Sequence, residues 1–172
     1  MFGGNRDEEF ERYFEETSKL IYNLGLRLFG NSEDAMDFAQ DVYLKAYSNF
    51  DKFEGRSKFS TWLYSLGLNL GLNRIRGEKR IRIEALEKPE DLPYEDASGW
   101  DLEENASSMI VQEELRALPD TYRVPLILFF YEKMSYQEIA TKLGQKEGTL
   151  KSLIHRGKAL LRSKLIARGI RQ

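Results

Sequence analysis

Residues able to meet another molecule concentrate near the C-terminal end of this 172-residue chain. Thr149, Lys151, Ser152, His155, Arg156, Lys158 and Arg162 share one face of a helix predicted to begin near Glu147. Leu150, Leu153/Ile154, Gly157 and Leu161 form its opposite, apolar stripe. Hydroxyls, an imidazole and cations on one helical face can donate to base edges and phosphates in a DNA major groove. Between Lys146 and Arg168, seven Lys/Arg stand against one acid, in a chain of formal net charge −2. That local field suits phosphate. The same pattern also fits a plain helical hairpin with a solvated, charged face.

The elements that hold this face are legible. Ser135 and Glu138 form S-x-x-E, a capping box that satisfies free amides at a helix start. Ile139, Ala140 and Leu143 follow at helical spacing, and Gly144 stops the helix. The short turn Gly144–Lys146 leads into the second helix. The layout is that of a helix-turn-helix.

Catalytic chemistry finds no support: the chain shows no nucleophile–base set, phosphate loop or metal cluster. There is no cysteine, and His155 is the one histidine. We therefore expect a protein that is not an enzyme and has no cofactor or metal. The composition, 41% hydrophobic and 31% charged, is that of a soluble globular protein. No apolar run approaches the roughly 20 residues needed to span a bilayer, and Met1 is followed by polar and acidic residues rather than a signal peptide. A cytoplasmic location without membrane insertion is expected.

Upstream, Asp7–Phe29 has helical periodicity through Phe10, Tyr13/Phe14, Thr17, Leu20/Ile21, Leu24 and Leu28. Gly30 ends it, and Asn31 or Ser32 caps a second helix to about Asn49, with Ala35, Phe38/Ala39, Val42 and Ala46 inward. Asp34, Asp37, Gln40 and Asp41 occupy its exposed face, where such residues are commonly just solvated. Phe50–Ser57 is a loop around Gly55. A third helix, Phe59–Arg76, has a predicted stripe of Phe59, Trp62/Leu63, Leu66 and Leu70. Gly67 and Gly71 sit four apart and imply close internal helix packing. Asn69 and Asn73 share a face, ahead of Arg74, Arg76, Lys79, Arg80 and Arg82. Aromatics beside cations suit single-stranded DNA, whose bases stack on rings; Phe59 and Trp62 equally suit a core.

Residues 84–107 hold nine Asp/Glu and one Lys, with Pro89, Pro93 and Gly99, giving a local charge of −8 and no sustained periodicity. They are expected to be a flexible linker. Ser108–Leu118 resumes a helix with Met109, Ile110 and Leu115 inward. Another runs from Pro119-Asp120 through Tyr131, in which Pro125 implies a kink or a late start. Phe129, Phe130 and Tyr131 exceed one narrow stripe, so some suit a partner surface.

GTLKSLIHRGKALLR, preceded by LPDTYRVPLILFFYEKMSYQEIATKLG, resembles region 4 of the extracytoplasmic-function sigma factors, small bacterial initiation factors of the sigma-70 family. DFAQDVYLKAY is similar to their region 2 segment that docks on the polymerase clamp helices, which implies Asp37, Gln40 and Asp41 as polymerase contacts. The resemblance makes FDKFEGRS the loop that holds a flipped −10 base, with Phe53, Arg56, Ser57 and Lys58 lining a pocket. FSTWLY and the two asparagines resemble the part that reads and melts the −10 element, implying Asn69, Asn73, Arg74 and Arg76 as DNA contacts. Thr149, Lys151, Ser152, His155, Arg156 and Lys158 would meet the −35 duplex. Family members usually carry a basic residue where Ser65 stands and often another near Leu72, which suggests weaker melting or a different preferred sequence here. Leu153 stands where arginine is usual; either it packs or it adds an apolar DNA contact. The acidic linker would be a solvated tether or, as the family implies, a phosphate mimic in polymerase channels, with Trp100 and Leu102 as anchors.

The expectation is an all-α protein: a region 2-like domain (1–83), an acidic linker (84–107) and a four-helix region 4-like domain (108–172). It would bind core RNA polymerase and promoter DNA, and be held inactive by an anti-sigma factor. The rivals are a stand-alone helix-turn-helix regulator, which binds duplex DNA unaided, and a protein-interaction module whose basic face meets an acidic partner.

Overall fold

The computed structural model describes residues 4–77 and 109–170. The linker expected at 84–107, the cations Lys79, Arg80 and Arg82, and the anchors Trp100 and Leu102 lie outside the described residues. The described residues form seven α-helices and a 3-10 turn, with no strand. Two compact units are present, Met1–Arg74 and Ile75–Gln172.

The first unit contains α1 (Gly4–Phe29), α2 (Ser32–Ser48), a 3-10 turn (Phe50–Lys52) and α3 (Phe59–Gly77) as far as Arg74. α1 and α2 pack together as a hairpin. Its turn is set by Asn31, whose Oδ1 accepts from Asp34 N at 2.8 Å and satisfies an amide of the first α2 turn. Ile21, Leu24, Leu28, Ala35, Phe38 and Val42 fill the core between the helices, as their periodicity requires.

The phase of α3 differs from the expected stripe. Leu66 and Leu70 are only half-buried. Phe59, Leu63, Gly67 and Gly71 point inward instead, one step of four apart. A Cβ at Gly67 would lie 3.4 Å from Leu24 Cδ2, and one at Gly71 would lie 2.5 Å from Leu28 Cδ1. At Gly71 the missing side chain is what lets α3 approach α1, so a rule that puts the largest apolar residues inward rotates the helix by about one residue. Trp62 is half-buried at the edge of the cluster, its ring 5.4 Å from those of Phe53 and Phe59.

The second unit contains α4 (Met109–Arg116), α5 (Asp120–Phe130), α6 (Tyr136–Leu143) and α7 (Glu147–Ala167). α7 packs against α4, α5 and α6. α5 starts at Asp120 and runs through Pro125, so the late start does not occur. Arg123 is 4% exposed, yet its charge is placed. It donates to the carbonyls of Leu118 (2.8 Å) and Arg116 (3.3 Å) and pairs with Asp120. It thereby satisfies carbonyls left open at the end of α4.

Met109 and Ile110 are not inward: they are 77% and 39% exposed. The inward residues of α4 are Val111, Glu114 and Leu115, with Leu118 following. A carboxylate takes a core-facing position because α7 supplies its partners. Arg168 Nε lies 2.7 Å and Lys164 Nζ 4.0 Å from Glu114. Apolar spacing alone does not reveal such a pair.

Candidate nucleic-acid interface

The helix-turn-helix is built by local chemistry. Ser135 N–H and Oγ donate to Glu138 Oε2 at 2.7 and 2.9 Å, and Glu138 N–H donates back to Ser135 Oγ at 3.3 Å. Those bonds, the backbone one first, hold the Glu138 carboxyl below its usual range. Gly144 adopts φ +65, a left-handed conformation that glycine takes without steric penalty, and ends α6.

α7 then presents two faces. Leu150, Leu153, Ile154, Gly157, Leu161 and Leu165 are buried. Leu153 is 1% exposed, so it packs. Ser152 and Lys151 are exposed, while Thr149, His155, Arg156 and Lys158 are half-buried along the same polar arc. The arc is not uniform. Lys151 Nζ pairs with Glu147 Oε1 at 2.8 Å, which raises the lysine's pKa, and lies 5.8 Å from the Tyr136 ring. Lys158 Nζ sits 4.6 and 5.1 Å from the Phe129 and Phe130 rings, at the border with the core. Phe129 in turn stacks on Tyr136 at 5.3 Å. The α5 aromatics thus support the cationic flank of α7.

The first unit carries two further surfaces. A recess of about 480 Å³ opens beside the loop after the 3-10 turn. Phe53, Ser57 and Lys58 line it; Arg56 is not among the lining residues, and its Nε pairs with Glu54 at 2.6 Å. Gly55 turns the loop at φ +68. Phe59 and, from α1, Tyr13, Glu16 and Thr17 complete the wall. The Tyr13 and Phe59 rings stack at 4.3 Å, and Phe53 meets Phe59 edge-on at 5.4 Å. The α1 residues were missed from sequence because they lie about 40 positions from the loop motif. Nearby along the chain, Asn69, Asn73 and Arg76 are exposed, the two asparagines one turn apart on α3. Arg74 is half-buried and sits near Asp34 (3.7 Å) and Asp41 (4.0 Å), with its guanidinium 5.2 Å from the Phe29 ring.

The other surface is an apolar groove of about 590 Å³ between α1 and α2. Asp37 and Gln40 line it beside Phe14, Tyr22, Met36 and Leu44; Asp41 is exposed outside it. Met36 is 64% and Leu44 62% exposed. Sequence reasoning picked the polar residues of this surface and passed over its apolar ones, since an isolated exposed leucine is unremarkable. A usable signal was present: Met36 and Leu44 fall off the inward stripe of α2. Among the described residues, no three or more His, Asp or Glu are grouped to hold a metal, and no helix is long and apolar enough to cross a membrane.

Comparison with known proteins adds to this geometry. Residues 13–81 match sigma-70 region 2, and residues 108–161 match sigma-70 region 4. The chain is 35% identical over 154 residues to the ECF RNA polymerase sigma factor SigW of Bacillus subtilis, covering 84% of this chain and 82% of that protein. It is 36% identical over 149 residues to the ECF RNA polymerase sigma factor SigE of Mycolicibacterium smegmatis, covering 84% of this chain and 57% of that longer protein. Among solved structures, the sigma factor RpoE of Bartonella quintana, crystallised with the anti-sigma factor NepR, is similar at 23% identity and a TM-score of 0.48, over 92% of this chain and 98% of that one. With both sigma regions matched in order and a 35%-identical relative covered over 82% of its length, the chain belongs to the extracytoplasmic-function sigma factors of the sigma-70 family, which are transcription initiation factors.

Proposed function

We propose that the two units divide promoter recognition by the physical state of the DNA. The second unit reads the −35 element as duplex. Thr149, Ser152, His155 and Arg156 face base edges there, and Lys151 and Lys158 follow phosphates. The first unit, with the end of α3 that continues beyond it, holds the −10 element as an opened strand. Phe53, Ser57 and Lys58 receive one everted base, Arg56 flanks the loop, and Asn69, Asn73, Arg74 and Arg76 track the strand.

Core RNA polymerase docks on the α1–α2 face, where Asp37, Gln40 and Asp41 border the apolar groove. A contiguous exposed groove of this kind is a protein-binding surface. Away from polymerase it needs a cover, and an anti-sigma factor is the partner the family implies. A factor with these partners works in the cytoplasm. The observation that carries the reading is the pairing, in one chain, of a helix-turn-helix with an aromatic recess of a size to hold a base.

The test is run-off transcription with bacterial core polymerase on a library of promoter fragments. Sequence-selective transcripts that require the protein are the expected result. Tight, selective binding to duplex DNA without polymerase, and no transcripts with it, would instead identify a stand-alone regulator.

A further inference from the structure

Two cations and two rings form a row along one side of the helix-turn-helix. Phe129, near the end of α5, and Tyr136, the first residue of α6, stack at 5.3 Å with their planes 9° apart. Lys158 Nζ lies 4.6 Å from the Phe129 centroid, and Lys151 Nζ lies 5.8 Å from the Tyr136 centroid. Phe130 meets Phe129 edge-on at 5.2 Å and backs the Lys158 end. Lys151 and Lys158 are two helical turns apart, so both side chains leave the same side of α7. The stacked rings are not core residues. Leu128 and Phe130 are buried, whereas Phe129 and Tyr136 are half-buried.

A lysine ammonium is a point charge on a flexible stem, and fixing that stem costs rotamer entropy. A ring face attracts the ammonium and takes only one side of it. The group has three protons to donate, so some still point away from the ring, toward a phosphate. Ring contact therefore restrains each lysine before DNA arrives, and part of the ordering cost of binding is already met in the free protein. The rings have fixed places of their own. Tyr136 directly follows the Ser135 cap, whose bonds with Glu138 set the start of α6, and Phe129 belongs to α5.

We infer that Tyr136 and Phe129 are positioning residues for duplex recognition. Their stacked rings hold Lys151 and Lys158 where phosphates of the −35 duplex meet them, and add no base preference of their own. The inference rests on the α7 arc being the duplex-reading face of the proposed function, and the lysine variants below test that reading separately.

Holoenzyme binding is measured by fluorescence anisotropy on a selected promoter and on the same promoter with its −35 element scrambled. The variants are Lys151→Ala, Lys158→Ala, Tyr136→Leu, Tyr136→Phe, Phe129→Leu, and the doubles that join Tyr136→Leu to Lys151→Ala and Phe129→Leu to Lys158→Ala. Each leucine variant should weaken binding about threefold, the effect of one exposed cation–ring contact, and equally on both sequences. Tyr136→Phe keeps the ring face and should bind like wild type. Each leucine substitution should add nothing once its lysine is alanine. A ring that merely supports the fold would cost the same with or without the lysine, and that result overturns the inference. So would a Tyr136→Phe variant as weak as Tyr136→Leu, or a changed −35 preference. The Tyr136 and Phe129 arms are independent, so loss of fold in one, seen by circular dichroism, leaves the other decisive. If the lysine variants weaken binding and the ring variants do not, the duplex-reading face stands and the positioning role is wrong. If neither lysine variant weakens binding, the arc is not that face and both readings fall.

Discussion

Arg74 and Asp34 tie α3 to the N-terminus of α2, with Nη2 3.7 Å from Oδ1. Asp34 is already oriented: its other carboxylate oxygen accepts from Asn31 Nδ2 at 2.8 Å. Arg74 also lies over the Phe29 ring at 5.2 Å. A part-buried ion pair and a cation–ring contact each contribute of order 0.5–1 kcal/mol. Arg74→Ala should therefore destabilise the first unit by about 1–2 kcal/mol in urea denaturation. Arg74→Lys should recover only part of that, because an ammonium lacks the planar fork. A variant as stable as wild type would show that the contact adds nothing.

Two glycines of the first unit should respond in opposite directions. A Cβ at Gly25 would stand 2.9 Å from Phe38 Cδ1 and 3.0 Å from the Ala35 backbone Cα, which cannot move aside cheaply. Gly25→Ala should cost about 1–3 kcal/mol, the usual penalty of overpacking. At Gly67 the nearest atom is 3.4 Å away, an ordinary contact. Gly67→Ala should be neutral or stabilise by up to about 1 kcal/mol through helix propensity. Denaturation midpoints of the two variants check both signs.

The capping box makes the second unit sensitive to acid. The Glu138 pKa is lowered from its ordinary value of 4.5 by the Ser135 bonds. A depressed carboxyl stabilises the fold above its unfolded pKa and loses that contribution as pH falls through the folded value. Melting temperature should therefore drop below about pH 4.5. Glu138→Gln should remove its share of that slope while lowering stability at neutral pH. A wild-type slope in the variant would place the acid sensitivity elsewhere.

On α7, position along the polar arc should determine the effect of each residue. Arg156→Ala should weaken promoter binding by the holoenzyme by about 1–3 kcal/mol and relax preference at one −35 base pair. Lys158, held against Phe129 and Phe130 at the edge of the arc, should act without sequence preference. Lys158→Ala should weaken binding evenly across sequences and lower the salt slope by about 1. Fluorescence anisotropy against salt, with specific and scrambled −35 sequences, separates the two. An Arg156→Ala variant with an unchanged footprint would sink the assignment.

The groove between α1 and α2 gives a test of polymerase binding that does not depend on DNA. Leu44 is 62% exposed, so Leu44→Asp leaves the fold intact. If polymerase buries this side chain, losing it costs about 1.5–3 kcal/mol, tenfold or more in affinity. The pair Asp37→Ala with Gln40→Ala should add to the loss. Core binding measured alongside circular dichroism checks both; affinity unchanged in a folded Leu44→Asp variant would move the interface off this groove.

The chain's own order of residues determined what is settled within a turn of helix. The Ser135–Glu138 box, the stop at Gly144 and the polar arc of α7 need partners no more than four positions away and stand where spacing placed them, and the α2 cap falls on Asn31, one of the two residues the spacing allowed. Tertiary structure decided what depends on distant partners. Gly71 faces inward with Leu28 of α1 occupying the room a side chain would take, while Gly67 faces the same core with space for a methyl. Glu114 is buried because Arg168 and Lys164 reach it from α7. Leu153 packs rather than facing DNA because the opposing helices close over it. The wall of the recess is completed by Tyr13 and Glu16 of α1, whose place beside the loop follows from helix packing and leaves no mark at the loop's own position in the chain.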